Sequence, residues 1–149
     1  MPSLGFFEMI LSFVLVLTPI VFIHELGHFW VARKTGVIVD VFSIGFGKEI
    51  FGWTDRHGTR WRFAWVPLGG YVKMRGDQNA ASGASNEASA QHNSFAGASL
   101  FSRIAIVAAG PIANFILAFI LFVGLYMSAG KLFVPPIIDE VLPDSAADR

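Results

Sequence analysis

The chain has 149 residues, of which 54% are hydrophobic and 15% charged, and its mean hydropathy is +0.57. This composition is too apolar for an ordinary soluble domain. The formal net charge is zero, so nothing supports nucleic acid binding. The chain contains no cysteine, which excludes disulfides and thiolate zinc sites and leaves histidine and carboxylate as metal ligands.

Two apolar segments are long enough to cross a hydrocarbon core, which takes about 20 helical residues. They run from Phe6 to about Ala32 and from Ile104 to Ala129. A cleaved signal peptide is disfavoured for the first segment, because it lacks a basic leader and a small-residue cleavage site. Nine of the 11 Lys and Arg residues lie between the segments. The positive-inside rule therefore predicts a cytoplasmic middle region and two outside ends.

The first segment contains His24-Glu25-Leu26-Gly27-His28, whose ionisable side chains are costly at membrane depth. On a helix, His24 and His28 lie one turn apart on one face, where both imidazoles can reach a single metal ion. Glu25 points to the neighbouring face, where it can hold and deprotonate a metal-bound water. The spacing predicts a zinc hydrolase site near the cytoplasmic end of this helix. A polar cluster that only packs helices together is the alternative.

Three residues shape the predicted first helix. Pro19 predicts a kink just before the histidines, because it offers no N–H to the preceding turn. Gly27 leaves room for another element to approach closely. Gly36 predicts the end of the helix.

Residues 37–74 carry the pattern of β-strands. Trp61, Phe63 and Trp65 alternate with smaller or charged residues, and the segment from Asp55 to Gly58 predicts a hairpin turn. Further glycines predict bulges or bends. The high aromatic content fits a small β-structure in the membrane interface, but a cytoplasmic hairpin domain fits equally well.

The second apolar segment predicts a helix that packs closely against another. Ala105, Ala109 and Ala113 form a stripe of small residues beside Gly110. Pro111, the next residue, predicts a distortion. An amide in hydrocarbon needs a partner, so Asn114 either bridges helices or belongs to a functional site.

The remaining segments are predicted to connect or extend the membrane core. The segment from Gly76 to about Ser94 is rich in small and polar residues and predicts a flexible linker, in which His92 is expected to be solvated, as is His57 in the turn. Residues 135–147 have the pattern of the first strand and turn of a further domain. Too few residues follow to bury a core, so a truncated chain is expected.

A zinc ion held by two histidines needs a third protein ligand. Asp40 and Glu49 are the nearest downstream carboxylates, but nothing in their context singles out either one, and neither is assigned.

Three motifs together resemble the site-2 protease family, with Phe95 and Arg103 fitting its bacterial branch: His24-Glu25-Leu26-Gly27-His28, Pro67-Leu68-Gly69-Gly70-Tyr71-Val72-Lys73-Met74 and Gly110-Pro111-Ile112-Ala113-Asn114. That branch cleaves the membrane-anchored anti-sigma factor of the envelope stress response. The resemblance implies a mainly α protein of the bacterial inner membrane, with transmembrane helices in 1–35 and 100–130. Between them it implies a membrane-reentrant β-region (36–75) and a cytoplasmic linker (76–99). Residues 131–149 would begin an extracytoplasmic PDZ-like domain.

The resemblance further implies an intramembrane zinc endopeptidase in contact with lipid. It would cut single-pass transmembrane proteins after a first extracytoplasmic cut. His24 and His28 would bind Zn²⁺ and Glu25 would be the general base. The β-region, with Gly69, Gly70 and Tyr71, would hold unwound substrate as an added strand, and Asn114 would hold substrate or the developing oxyanion.

The third zinc ligand of this family is an aspartate in a Leu-Asp-Gly motif on a later membrane helix, and that motif does not occur here. The chain alone is therefore expected to have an incomplete metal site. It is either the N-terminal part of a longer protease, which its abrupt end favours, or a degenerate relative. Two alternatives from other functional classes are a non-catalytic membrane-embedded substrate-binding module and a transport subunit with His24 and Glu25 as a proton relay.

Overall fold

The computed structural model describes residues 5–76 and 93–130. Its elements in chain order are α1 (Phe6–Lys34), β1 (Val39–Thr54), β2 (Arg60–Met74) and α2 (Leu100–Ala129). Both helices are long and apolar enough to cross a membrane, and β-structure lies between them in the sequence, as predicted. α2 begins at Leu100, four residues before the predicted apolar segment. Most of the predicted linker and the PDZ-like start lie outside the described residues.

α1 ends at the predicted glycine. Gly36 has a φ of +83°, a backbone conformation that glycine adopts without a Cβ penalty. The Val37 N–H donates to the Ala32 carbonyl at 2.9 Å and the Gly36 N–H to the Arg33 carbonyl at 3.2 Å. These two bonds form a Schellman end, which satisfies helix carbonyls and turns the chain toward β1. The helix continues through Pro19 without a break, and the expected kink stays a prediction.

The two strands form one sheet. Because both strands bend, each contributes two paired segments, which we call rows. Residues 51–54 pair with 63–60, and residues 41–44 pair with 73–70, both in antiparallel order. Residues 41–44 also face 60–63, with both numbers rising together. The row 60–63 therefore lies between 51–54 and 41–44, and the row 70–73 lies outermost. The register shifts between Ile44 and Glu49, around Gly45 (φ +86°) and Gly47 (φ +90°), which confirms the predicted bends.

The buried core joins the second half of α1, the sheet and the start of α2. Phe42 of β1 is 1% exposed, stacks on Trp61 with ring centroids 4.4 Å apart, and meets Phe29 of α1 edge-on at 5.5 Å. Ile106 of α2 is also 1% exposed and belongs to the same cluster. Since aromatic pairs of this geometry add to the burial of apolar area, they hold the sheet against α1.

The predicted hairpin turn is present, and its aspartate does more than close the turn. Asp55 Oδ1 accepts hydrogen bonds from the backbone N–H groups of His57 (2.8 Å) and Thr59 (3.0 Å). Its Oδ2 accepts from the Trp61 indole (3.3 Å) and from Arg33 of α1 (3.1 Å). Burial on its own would raise the pKa of Asp55, but these donors outweigh it and lower that pKa below its ordinary value. The carboxylate fixes the turn to the end of α1.

Residues 93–95 are joined to the sheet by backbone hydrogen bonds. The Ile38 N–H donates to the Asn93 carbonyl (3.0 Å), the Arg75 N–H to the Ile38 carbonyl (2.8 Å) and the Phe95 N–H to the Arg75 carbonyl (3.0 Å). The bond to Arg75, which is the first residue after β2, consequently holds Phe95 next to Met74.

The chain divides into two units, residues 1–119 and 120–149. All the elements discussed above, with α2 as far as Phe119, belong to the first. In the second, the structure describes the last turns of α2, where the Ser128 hydroxyl donates to the Gly124 carbonyl at 2.8 Å.

Candidate active site

The two motif histidines lie side by side on α1. Their ring centroids are 4.9 Å apart and their planes make an angle of 79°. Helical geometry places residues four apart on one face, so the contact follows directly from the spacing of His24 and His28.

Small residues allow α2 to approach this face of α1. A Cβ built on Gly27 would overlap the Ala109 carbonyl oxygen and lie 2.8 Å from Ala113 Cβ. The predicted close approach at Gly27 and the predicted packing role of the alanine stripe are therefore both found here. In apolar surroundings, such backbone approach supplies the van der Waals contact that joins helices.

Gly110 of α2 lies opposite both imidazoles. A Cβ at this position would overlap His28 Nε2 and would lie 2.7 Å from His24 Nε2. Both Nε2 atoms therefore lie close together against Gly110, and this approach is possible because residue 110 has no side chain. Two imidazole nitrogens that bind one zinc ion must lie near each other in this way.

The hydrogen bond of His28 fixes its tautomer. His28 Nδ1 lies 2.7 Å from the Ile106 carbonyl oxygen. A carbonyl can only accept, so Nδ1 carries the proton, and in the neutral ring Nε2 keeps its lone pair. Metal-binding histidines are typically oriented in this way by a carbonyl or carboxylate. The role of Ile106 could not be predicted from the sequence, because any residue type carries the same backbone carbonyl.

Asn114 contacts the other histidine. Its Nδ2 lies 3.1 Å from His24 Nδ1, and its Oδ1 is buried with no hydrogen-bond partner in the part of the chain that the structure describes. Turning the amide by 180° makes the oxygen accept from His24 Nδ1–H. In that arrangement the Nε2 lone pairs of His24 and His28 are both available on the side of Gly110. The predicted partner of Asn114, an amide within an apolar helix, is therefore a histidine.

Glu25 lies on the adjacent face of α1, beside β2. A Cβ built on Gly70 would lie 3.1 Å from Glu25 Cγ and 3.2 Å from a methyl carbon of Val21, so the glycine lets the outer row of the sheet approach the helix. The Glu25 carboxylate lies beside the backbone N–H of Val72. Of the predicted substrate-binding residues in the sheet, Gly70 is the one that contacts the motif.

Gly69 and Tyr71 lie against other partners. A Cβ on Gly69 would lie 2.5 Å from the ring of Phe46. Tyr71 stacks on the same ring, with centroids 6.2 Å apart, and receives the Arg62 guanidinium 5.5 Å from its ring centre. These contacts shape the bend of the sheet, while the role in substrate binding stays a prediction.

Two cavities flank the histidine pair. One of about 220 Å³ is lined by Glu25 and His28 of α1, and we name it the His28 cavity. Its other walls are formed by Val72, Met74, Phe95, Ile106 and Val107. The second, of about 370 Å³, is lined by His24, Pro111, Asn114, Phe115 and Ala118. The histidines therefore lie between two mainly apolar spaces.

The profile of Peptidase family M50 matches residues 12–146, which is most of the chain. The chain belongs to this peptidase family. The resemblance to site-2 proteases, drawn from three motifs, is confirmed.

Relatives of this M50 chain are named as proteases. It is 49% identical to a protein of Rhizobium meliloti that is provisionally named a zinc metalloprotease, over 93% of the chain and 38% of that protein. It is 39% identical to metalloprotease MmpA of Caulobacter vibrioides (97% and 40%) and 43% identical to protease RseP of Yersinia pestis (91% and 29%). The chain therefore spans less than half the length of these relatives.

His24 and His28 are two candidate metal ligands. Within residues 5–76 and 93–130, no group of three or more His, Cys, Asp or Glu side chains is placed to hold one metal ion. The names of the relatives support zinc. The two neighbouring imidazoles and the fixed tautomer of His28 fit part of a zinc site that needs a further ligand.

Proposed function

We propose that this chain is the N-terminal part of an intramembrane zinc endopeptidase, with His24 and His28 as zinc ligands and Glu25 as general base. The observation that carries the proposal is the pair of imidazoles whose Nε2 atoms lie close together beside Gly110, with the Nε2 lone pair of His28 left available by the bond of its Nδ1–H to the Ile106 carbonyl. The third ligand would come from outside the described residues, in line with the greater length of the relatives.

The reaction would be hydrolysis of a peptide bond. A bound zinc ion would polarise the scissile carbonyl and make a water molecule more acidic. Glu25 would accept the proton from this water as its oxygen bonds to the carbonyl carbon, and would pass a proton to the leaving nitrogen as the C–N bond breaks. The Ile106 carbonyl holds the His28 ring in its orientation during these steps.

Asn114 would orient the His24 ring through a hydrogen bond at Nδ1, as the Ile106 carbonyl orients the His28 ring. With its oxygen on His24 Nδ1–H, the amide nitrogen is left without a partner in the described part of the chain. That N–H would donate to the substrate carbonyl or to the oxyanion that develops from it.

The substrates would be single-pass transmembrane proteins of the bacterial inner membrane, such as an anti-sigma factor, held extended for cleavage. A helical substrate hides its peptide bonds within its own hydrogen bonds, so it must unwind first. The outer row 70–73, which lies against α1 at Gly70, would pair with the unwound segment as an added strand. Exposed Phe51 and Trp65, at 61% and 70% exposure, support insertion of the sheet into the membrane interface.

The active site would lie toward the cytoplasmic side, with both ends of this segment outside. Arg33 and Lys34 follow the motif within the last turn of α1, and the positive-inside rule assigns such residues to the cytoplasm. Lys34 Nζ lies 4.1 Å from the ring centre of Trp30, a pair suited to the membrane interface.

Zinc quantification tests the proposal. The 149-residue chain and the full-length protein are purified side by side in detergent with zinc supplied, and bound metal is measured together with cleavage of a fluorescent single-pass transmembrane peptide. We expect one zinc ion per full-length protein, loss of that zinc in His28→Ala, and weak or no retention by the shorter chain. A full-length protein without zinc would overturn the proposal and leave a non-catalytic binding module in its place.

A further inference from the structure

The His28 cavity has the dimensions of a site for one side chain. Its volume of about 220 Å³ exceeds the roughly 150 Å³ at which an apolar protein cavity accepts benzene. It is smaller than the ~300 Å³ at which pockets for whole drug-sized ligands begin. The cavity can therefore hold a leucine-sized or phenylalanine-sized group, but not a folded segment.

The residues that line the His28 cavity determine which class of substrate side chain it can accept. Val72, Met74, Phe95, Ile106 and Val107 contribute apolar surface, and Glu25 and His28 of α1 contribute the polar groups. An acidic side chain would face the Glu25 carboxylate and these apolar residues, and an unpaired charge in such surroundings is costly. An apolar side chain gains by leaving water or lipid for close contact with these residues.

The sheet register relates the cavity to a bound strand. Val72 and Met74 are two residues apart in β2 and so present their side chains on the same face of the sheet. A strand added beside the outer row would place every second side chain on that same face. Because the proposed general base Glu25 and the proposed zinc ligand His28 both line the cavity, the side chain that enters it would belong to a residue at the bond being cut.

We propose that the His28 cavity is the specificity pocket of this protease, and that it accepts one large apolar side chain of the substrate residue flanking the scissile bond. This inference rests on the proposed function and adds the determinant of its substrate class. Val107 and Phe95 are two of the residues that line this pocket. Val107 projects from α2, and Phe95 is held in place through its bond to the Arg75 carbonyl.

The test uses a series of transmembrane peptides that differ only at the two residues flanking the cut, which is located by mass spectrometry. Each position carries Gly, Ala, Leu, Phe or Asp in turn. The full-length protein is expected to cleave the Leu and Phe peptides at least about tenfold faster, as kcat/KM, than the Gly and Asp peptides at one of the two positions.

Two variants that change the pocket in opposite directions make the test specific. Val107→Trp fills the pocket and should lower the rate for Phe relative to Ala at least about tenfold, whereas Phe95→Ala enlarges it and should raise that ratio. Val16→Trp is the matched control, since Val16 is 59% exposed against 60% for Val107 and does not line the cavity. Bound zinc and thermal melting are measured in each variant.

The outcomes separate this inference from the proposed function. A protein that cleaves every peptide at the same rate, or whose Val107→Trp and Val16→Trp variants have equal preferences, overturns the specificity pocket and leaves the protease intact. A zinc-loaded protein that cleaves no peptide overturns the protease and the pocket with it. A general loss of stability would lower all rates together, and would not move the Phe to Ala ratio in opposite directions.

Discussion

Two polar clusters in this chain differ in how many of their hydrogen-bonding atoms have partners. Asp55, at the hairpin turn, uses both carboxylate oxygens, and each accepts two donors. The cluster around His24 and His28 is incomplete by the same measure: one polar atom of the Asn114 amide has no partner in the described residues, and the Nε2 lone pair of His28 stays available once its Nδ1–H is bonded to the Ile106 carbonyl. Saturated polar groups hold a fold together, because no hydrogen-bonding capacity is left over. Unused capacity at a buried site indicates a ligand.

The difference also appears in how the two clusters are positioned. Asp55 is held by nearby donors in its own turn and by one long side chain, Arg33, which reaches it from α1. The histidines depend on backbone approach between helices, which Gly27 and Gly110 make possible by lacking a side chain. A small change in volume should therefore damage the histidine site far more than the turn.

Glu25→Gln in the full-length protein should have the largest effect on activity. The amide keeps the shape of the side chain but cannot take a proton from water, and removing a general base costs about 10²- to 10⁴-fold in rate. Cleavage of a transmembrane peptide is measured beside bound zinc and thermal melting, which should be unchanged. A variant that still cleaves at the wild-type rate would remove Glu25 from the mechanism.

Gly110→Ala tests the close approach of α2 to the histidines directly. The added methyl group would overlap His28 Nε2, so we expect loss of bound zinc and at least about a 100-fold fall in cleavage. Gly124→Ala is the control on the same helix, because a Cβ there meets no described atom within 4 Å. If Gly110→Ala binds zinc as well as Gly124→Ala does, the metal does not lie where the two imidazoles converge.

Asn114→Ala should lower turnover less than either change above, by roughly tenfold, because it removes the partner of His24 without removing a ligand. Asn114→Asp keeps an oxygen that can accept from His24 Nδ1–H and should restore zinc affinity, which is measured by competition with a chelator. Equal zinc affinity in wild type and in Asn114→Ala would make Asn114 a packing residue.

Much of the site could be predicted from sequence, because much of it depends on residues that lie only a few positions apart in the chain. Helical periodicity alone places His24 and His28 together, and Gly36 and the Asp55 turn depend on rules that act over a few residues. The tautomer of His28 could not be predicted, since it depends on a backbone carbonyl 78 residues away. Neither could the convergence of both histidines on Gly110, although the small residues of α2 indicated close packing.

The sheet shows which features could not be predicted from local sequence patterns. Alternation predicted its strands, but the return of residues 41–44 to face both 60–63 and 70–73 depends on bends whose direction no local pattern specifies. For the same reason, no local pattern indicated that the neighbouring residues Gly69 and Gly70 would contact different partners. Asp55 was predicted as a turn residue only, because its bond to Arg33 joins elements that are distant in the chain.

Asp55→Asn should have the smallest effect, and on stability rather than on chemistry. Since the folded pKa of Asp55 lies below its ordinary value near 3.8, its charged form contributes stability that is fully present above that value and is lost as the pH falls through the folded pKa. The variant should be less stable than wild type by about 1 kcal/mol at neutral pH, with the gap closing below about pH 4. Thermal melting in detergent across this pH range measures the gap. Asp40→Asn is the control, because Asp40 and Arg75 form a half-exposed ion pair with a single hydrogen bond and ion pairs that water reaches contribute little. If the two variants lose the same stability at neutral pH, or if the Asp55 gap persists in acid, the four donors at Asp55 do not act as a saturated cluster and the contrast with the histidine site fails.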